Sequence, residues 1–147
     1  MMAQMTPQAL AEAVADAMYA RDPAVRAFGI RVEAVAPGYA RLSMPVRDDM
    51  LNGHGFCHGG LIFTLADSAF AYACNSRNQN TVASGCTIDY LAPGEAGDVL
   101  NAEAVEQSLA GRTGVYDVMV RNQDGKRVAL FRGRSHSIKG GVLEGSA

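Results

Sequence analysis

The side chains best suited to chemistry lie close together in residues 51–75. The first half of this segment is a polar turn that contains Asn52, His58 and the glycine pair at 59–60. The second half is apolar or small at almost every position, and its one ionisable carboxylate is Asp67. A glycine pair at the start of a helix and a carboxylate about two turns further on could serve a reaction. We therefore expect the active site here.

Gly59 offers backbone chemistry rather than a side chain. In the first turn of a helix the N–H groups have no partner within the helix, and the helix dipole favours negative charge beside them. Glycine also lets the backbone approach a ligand closely. On spacing alone, a plain glycine-rich helix entry explains the same residues equally well, so both interpretations stay open at this point.

Asp67 is the strongest side-chain candidate. Burying an unpaired carboxylate is costly, so Asp67 must face water, a partner or a site. It could be the general base for a water molecule or a nucleophile that forms an acyl anhydride, and the sequence does not separate these roles. A structural carboxylate that caps another element is the alternative.

Asn52 and His58 are weaker candidates taken one at a time. We interpret Asn52 as a residue that positions water or Asp67, and His58 as a hydrogen-bond donor that shapes the turn and could polarise a carbonyl. An ordinary turn asparagine and a structural histidine are the alternatives.

A metal site in this segment is not favoured. Cys57 and His58 are adjacent residues, whose side chains normally point apart, and no C-x-x-C or H-x₃-H pair accompanies them. No partner base is apparent for Cys57, and cysteine is often a small core residue, so a nucleophilic role is not favoured either. We predict no metal.

Composition limits the class of protein. The 147 residues fit one domain, 48% of them are hydrophobic, and the net charge of −2 comes without a Lys/Arg run, which argues against nucleic-acid binding. The three cysteines are odd in number and widely spaced, as is typical of reduced thiols in a cytoplasmic protein. We see no signal peptide and predict no contact with a membrane.

Two helices are predicted. Thr6 and Pro7 are a good N-cap and first helical residue for an amphipathic helix that ends near 21–23. The segment from Gly59 predicts a helix of about four turns that is apolar enough on every side to be buried on every side. Its length, and the acid within it, argue against a membrane span.

Alternating hydrophobicity predicts the strands. Residues 28–46 indicate a hairpin around Pro37-Gly38, in which Ala40, Leu42, Met44 and Val46 share one face. Four later strands are predicted at 81–91, 99–107, 115–121 and 128–137. Helices segregated against an antiparallel sheet define an α+β fold. We expect one domain over 1–147, with a core at about 28–138 and a disordered tail at 140–147.

The order of elements, together with Asn52, His58-Gly59-Gly60 and Asp67, resembles the hotdog-fold acyl-CoA thioesterases, and among them the phenylacetate-degradation (PaaI-type) branch. His-Gly-Gly alone would be a weak signal. An aspartate eight residues after Gly59 and an asparagine six before His58 make it specific. The likeness covers roughly 28–138. The similar segments are Leu51-Asn52-Gly53-His54, Cys57-His58-Gly59-Gly60, Leu65-Ala66-Asp67, 69–75, 86–90 and 128–133.

The resemblance implies a hotdog fold, an antiparallel sheet wrapped around a long central helix, and hydrolysis of a thioester. Negative charge develops on the thioester carbonyl oxygen, and a backbone donor such as the Gly59 amide would stabilise it. The family forms homodimers with two shared sites, commonly paired into tetramers. Asp67 of one chain is then expected to face the Gly59 amide of the other, with Asn52 and His58 beside that amide.

The resemblance also implies where the substrate binds. Coenzyme A is part of the substrate, so no separate cofactor is expected. The acyl group is expected to be of the phenylacetyl or hydroxyphenylacetyl type. The aromatic residues Phe56, Phe63 and Tyr72, with Leu61, could line its pocket or belong to the core. The predicted contacts to the CoA ester are Gly60, Arg112, Thr113, Gly114, Arg134 and His136, although a solvated turn arginine would explain Arg112 equally well.

Two other functions compete. Asp49 with His54 five residues later faintly imitates the Asp…His dyad of hotdog enoyl- or hydroxyacyl-CoA hydratases, but the proline that usually accompanies it is missing. A non-catalytic acyl-CoA-binding protein on the same fold would be expected to lack the carboxylate or to carry a DNA-binding segment, and neither is seen.

Overall fold

The computed structural model describes residues 4–143 and contains one antiparallel sheet of six strands packed against its helices. The helices are α1 (Pro7–Ala20), α2 (Pro23–Ala27) and α3 (Gly59–Cys74), and a short 3₁₀ helix spans Asp48–Met50. The strands are β1 (Arg31–Ala36), β2 (Tyr39–Pro45), β3 (Thr81–Tyr90), β4 (Val99–Ala110), β5 (Thr113–Arg121) and β6 (Arg127–Ser137).

The strand order is β1-β2-β4-β5-β6-β3, and each neighbouring pair is antiparallel. The predicted hairpin is present, with Gly38 at a φ of 71° in the turn, a conformation that favours glycine. The predicted turn at 110–114 is shorter than expected, because β4 continues to Ala110 and β5 already begins at Thr113. Strands β1 and β3 form the two edges of the sheet.

Helix α3 packs across the inner face of the sheet, so the predicted α+β arrangement is confirmed. The alternating residues Ala40, Leu42 and Met44 of β2 point toward it and are almost fully buried, as is Val46 directly after the strand. The ring of Phe70 meets Phe131 and Tyr116 and lies over Gly133, where an added Cβ would come within 2.8 Å of it. Because β6 carries no side chain at that position, the helix lies close to the sheet.

One face of α3 is not buried within the chain, which differs from the prediction that the helix is buried on every side. This face carries residues spaced three or four apart, namely Gly60, Thr64, Asp67 and Ala71. Gly60 is exposed, and the other three are only partly buried. The strand next to this open face is β3. Within residues 4–143 it pairs only with β6, and it keeps large apolar side chains such as Val82 and Tyr90 exposed.

The N-terminal helix forms as predicted. The Thr6 hydroxyl accepts a hydrogen bond from the Ala9 N–H, and Pro7 is the first helical residue. The helix lies on β1, where the Tyr19 hydroxyl donates to the Ile30 carbonyl over 2.9 Å. The short helix α2 and the 3₁₀ helix were not predicted, because a single turn is too short to show a period.

The predicted disorder after residue 140 does not extend to 140–143. The Gly140 carbonyl accepts from the Asn80 N–H, and the Val142 carbonyl accepts from the Arg21 guanidinium over 3.0 Å. Residues 144–147, the rest of the predicted tail, lie outside the described part of the chain.

Candidate active site

Asn52 organises the loop that leads into α3. Its side-chain Oδ1 accepts hydrogen bonds from the backbone N–H groups of His54 (2.9 Å) and Phe56 (3.2 Å). Two N–H donors to one atom identify that atom as the oxygen, and no described residue accepts from the side-chain NH₂ group. The predicted role of Asn52, to position water or Asp67, therefore rests on this NH₂ group, while its oxygen holds the loop.

His58 is the N-cap of α3 and acts as an acceptor. Its Nδ1 receives the Gly60 N–H over 2.9 Å, so the imidazole is protonated on Nε2 when it is neutral. His58 does shape the turn as predicted, but with the opposite polarity to the predicted donor. The Gly60 N–H, a predicted contact to substrate, is occupied by this bond.

The Gly59 amide lies at the start of α3, as predicted from the glycine pair. Gly59 is the first residue of α3, and its N–H donates to no other group in residues 4–143. The carbonyl of the same residue accepts a hydrogen bond from the Tyr90 hydroxyl over 2.9 Å. A Cβ at Gly59 would lie 3.2 Å from the Cζ of Tyr90, closer than ordinary contact. Tyr90 was not predicted as a site residue, because it lies far along the chain on another element.

A cleft of about 380 Å³ opens beside the Gly59 amide. Its lining combines Asn52 and Gly59 with apolar side chains, and its residues are Asn52, Phe56, Cys57, Gly59, Ile62, Tyr90, Leu91, Ala92 and Pro93. Of the aromatic residues predicted for an acyl pocket or for the core, Phe56 lines this cleft and is 39% exposed. Phe63 and Tyr72 pack in or against the core instead.

Asp67 lies on the open face of α3 and outside this cleft. Its carboxylate forms no hydrogen bond or ion pair with any residue of 4–143, and burial raises the pKa of this carboxyl above its ordinary value. Burial, and then the charge of Asp67, raise the pKa of the Cys86 thiol, which places the carboxylate near the inner face of β3. An unpaired, partly buried carboxylate with a raised pKa is suited to accept a proton.

Cationic residues gather at the other end of the sheet. Arg112 and Lys139 line a cavity of about 670 Å³ between the β4–β5 turn and the end of β6. Thr113 pairs with His136, and both are exposed, as is Arg134 two residues earlier on β6.

The sequence analysis missed Lys139, and it misjudged Gly114. Lys139 stands alone after the last strand, and only the fold brings it beside Arg112. Gly114 is buried, and an added Cβ would meet the hydroxyl oxygen of Ser135 at 2.6 Å. Its glycine is therefore explained by packing rather than by contact with a ligand.

The competing predictions gain no support from these contacts. Asp49 forms an ion pair with Arg47 over 3.0 Å rather than meeting His54. The three cysteines Cys57, Cys74 and Cys86 are free thiols. Across residues 4–143, no set of three potential ligands is placed to hold a metal ion, and none of the helices is both long and apolar enough to cross a membrane.

Comparison with known proteins identifies the family. A model described as the thioesterase superfamily matches residues 54–129. The acyl-coenzyme A thioesterase PaaI of Escherichia coli (strain K12) is 53% identical over 133 residues, which are 90% of this chain and 94% of that protein. A solved structure of the E. coli PaaI protein from the phenylacetic acid degradation operon has a TM-score of 0.91 at 50% identity and covers 92% of this chain and 99% of its own.

A more distant structure shows a ligand. A Streptococcus mutans UA159 protein solved bound to acetyl CoA has a TM-score of 0.73 at 30% identity, covering 76% of this chain and 90% of its own.

This chain therefore belongs to the thioesterase superfamily. The predicted hotdog fold and PaaI-type branch are confirmed, and so is the prediction that the protein is a thioester hydrolase. The roles predicted for individual residues remain predictions.

Proposed function

We propose that this protein hydrolyses phenylacetyl-CoA and hydroxyphenylacetyl-CoA to the free acid and coenzyme A, at sites shared between two protomers. The thioester carbonyl binds at the Gly59 amide of one protomer, and the Asp67 carboxylate comes from the other. The reaction breaks the carbonyl–sulfur bond, adds water to the acyl carbon and releases the CoA thiol.

The observation that carries this proposal is the separation of Gly59 and Asp67 along one helix. Eight residues of α-helix correspond to a rise of about 12 Å. Reacting atoms must approach to about 3–3.5 Å, so the two groups of one chain do not serve the same carbonyl. Accordingly, none of the described residues that line the cleft at Gly59 carries a carboxylate. A second copy is the economical source of the missing group.

The exposed edge of β3 is the proposed contact between the copies. An unpaired edge strand is a ready template for another strand. In a two-fold symmetric dimer this edge pairs with itself, so the two copies of β3 run antiparallel and each Tyr90 lies toward the Thr81 end of its partner. We infer at least a dimer, and the pairing of dimers into a tetramer rests on the family resemblance.

The same symmetry would supply the coenzyme A contacts. Tyr90 lies opposite Ala129 on β6, whereas the cationic end is near His136, which is opposite Val82. Seven residues of strand span about 24 Å, so the cationic group is remote from the Gly59 cleft of its own chain. Antiparallel pairing brings the partner's cationic end toward that cleft. Arg112 and Lys139, with Thr113, Arg134 and His136 nearby, are the groups suited to phosphate.

The chemistry follows from the groups assembled in this way. The Gly59 amide stabilises the developing oxyanion, to which a donor of this kind contributes about 10²–10³ in rate. Asp67 either removes a proton from the attacking water or attacks the carbonyl itself. The NH₂ group of Asn52 is a further donor at the cleft, and His58 holds the glycine turn.

The acyl group is inferred from the relatives and from the cleft. E. coli PaaI is named an acyl-coenzyme A thioesterase and belongs to a phenylacetic acid degradation operon, and the S. mutans neighbour binds acetyl CoA. The side chains of Phe56, Ile62 and Tyr90 line the cleft and suit a short aromatic acyl group. A cytoplasmic location, inferred from the free thiols, is part of the same proposal.

A panel of acyl-CoA esters tests this proposal. Hydrolysis is followed by release of the free thiol, and kcat/KM is compared for phenylacetyl-, hydroxyphenylacetyl-, acetyl-, octanoyl- and palmitoyl-CoA. We expect the two aryl esters to rank first. A clear preference for palmitoyl-CoA would contradict the proposed substrate class, and hydration of an enoyl-CoA without thiol release would contradict the reaction.

A further inference from the structure

The peptide group between Gly59 and Gly60 is held at both of its polar atoms by side chains. Its N–H, that of Gly60, donates to His58 Nδ1 over 2.9 Å. Its C=O, that of Gly59, accepts from the Tyr90 hydroxyl over 2.9 Å. One of these side chains precedes the helix, and the other stands at the end of the edge strand β3, so the peptide is fixed from two independent elements.

These two hydrogen bonds restrict a peptide group that the glycine pair would otherwise leave flexible. Glycine gives the backbone more freedom than any other residue, and two in succession at a helix start are prone to fray. The Gly59 N–H belongs to the preceding peptide group, between His58 and Gly59, and its direction depends on the orientation of the 59–60 peptide. The carbonyl of the 58–59 peptide, that of His58, accepts hydrogen bonds from the N–H groups of Leu61 and Ile62. The free N–H therefore sits in a turn whose other polar groups are engaged.

Tyr90 is not needed to fill the core. Within one protomer it is 52% exposed, and its ring lines the cleft rather than the buried cluster around Phe70. The ring also covers the position that a side chain at Gly59 would occupy, with Cζ 3.2 Å from a Cβ built there. The hydroxyl of this half-exposed side chain donates to the first carbonyl of α3, so Tyr90 orients the start of that helix.

We propose that Tyr90 is a positioning residue for catalysis: its hydroxyl, together with His58, fixes the 59–60 peptide and so aims the Gly59 amide at the thioester carbonyl. This inference rests on the proposed function, in which the Gly59 amide binds the oxyanion. Tyr90 acts through Gly59 and takes no part in the chemical step itself.

The direct test is Tyr90→Phe, which keeps the ring and removes the hydroxyl. A neutral hydrogen bond is worth about 0.5–1.5 kcal/mol, so a donor aimed less well should lower kcat by about 2- to 10-fold. KM should change little, because the ring that lines the cleft is retained. The matched control is Tyr19→Phe, which removes the same kind of bond, a hydroxyl to a backbone carbonyl over 2.9 Å, on the other side of the molecule.

A double-mutant cycle and an exchange measurement separate positioning from general stability. Because His58 and Tyr90 hold the same peptide, the kcat losses of Tyr90→Phe and His58→Ala should be non-additive, whereas those of Tyr19→Phe and His58→Ala should add. Amide hydrogen exchange at Gly60, followed by NMR, should be faster in Tyr90→Phe and unchanged in Tyr19→Phe.

The outcomes distinguish this inference from the proposed function. If the wild type hydrolyses no acyl-CoA ester, the proposed function fails, and the exchange at Gly60 still decides whether Tyr90 fixes the peptide. If the wild type is active but Tyr90→Phe has the kcat of Tyr19→Phe, the inference is overturned while the function stands. A loss confined to KM, or an unchanged rate of exchange at Gly60, would overturn it as well.

Discussion

Replacement of Asp67 by asparagine separates a catalytic carboxylate from a structural one. The substitution keeps the shape of the side chain and removes the charge. The Asp67 carboxylate forms no hydrogen bond or ion pair within residues 4–143, so Asp67→Asn breaks no described contact. We therefore expect the fold to be retained and kcat to fall by about 10²–10⁴ if Asp67 is the general base. KM should move little, because the ester is held at other groups.

Stability should change in the opposite direction to activity. Burial raises the pKa of the Asp67 carboxyl in the folded protein, so its favourable contribution is present at low pH and is lost as the pH rises through the folded-state pKa. Above that pKa the ionised group therefore opposes folding. Removal of the charge should leave Tm equal to or above that of the wild type, as measured by calorimetry at pH 7.

The same shift sets the pH dependence of the reaction. The catalytic form is the carboxylate, so kcat/KM should fall as the pH is lowered through a pKa that lies above the ordinary value for aspartate. This acid limb should be missing from the residual activity of Asp67→Asn. The matched control is Asp124→Asn, in the turn between β5 and β6, which should change neither rate nor profile.

Two results would refute this reasoning. Asp67→Asn with more than about a tenth of the wild-type kcat would exclude a general base, since such groups contribute at least 10². A variant with a lowered Tm and near-normal turnover per folded molecule would identify Asp67 as a structural carboxylate, the alternative considered from the sequence.

Three further predictions concern sharing, capping and substrate binding. Mixing Asp67→Asn chains with Gly59→Pro chains should restore about a quarter of wild-type activity, since half of the random dimers are mixed and each regains one site of two; inactive mixtures of folded, mixed dimers would exclude the cross-chain site. His58→Ala should lower the free energy of unfolding by about 0.5–2 kcal/mol in urea titrations, whereas His58→Asn keeps a capping oxygen and should lose little; equal losses would contradict the cap. Arg112→Ala should raise KM for acyl-CoA about tenfold or more, as expected for a charge-assisted contact, yet leave the hydrolysis of an acyl-pantetheine unchanged. Arg121→Ala is the control, and a tenfold rise there too would point to a general charge effect.

Local signals account for the parts of the fold that the sequence predicted well. The alternation along β2 identified its buried face because each residue of a strand points to the opposite side from the last. Thr6 and Pro7 marked the start of α1 through capping chemistry that involves only neighbouring residues. The open face of α3 was not predictable in this way, because an apolar pattern records burial without saying whether the cover comes from the same chain.

The candidate site was predictable in its residue types and less so in its contacts. Gly59 and Asp67 stood out because a glycine pair and a lone acid are unusual in an apolar helix. The polarity of His58 depends on which ring nitrogen faces the helix start, which spacing does not reveal. Tyr90 lies 31 residues further along the chain, so only the packing of β3 against α3 brings its hydroxyl to the Gly59 carbonyl.

The distance between Gly59 and Asp67 on α3 has a consequence for how activity depends on protein concentration. With a shared site, a single protomer contains two half-sites and no complete site. Specific activity therefore falls when the protein concentration is diluted below the dimer dissociation constant. A chain that lacks only one group still completes one site with a wild-type chain. A chain that lacks both completes none, and it silences every wild-type chain that it pairs with. Single defects at these two positions are therefore recessive in mixtures, and the combined defect is dominant.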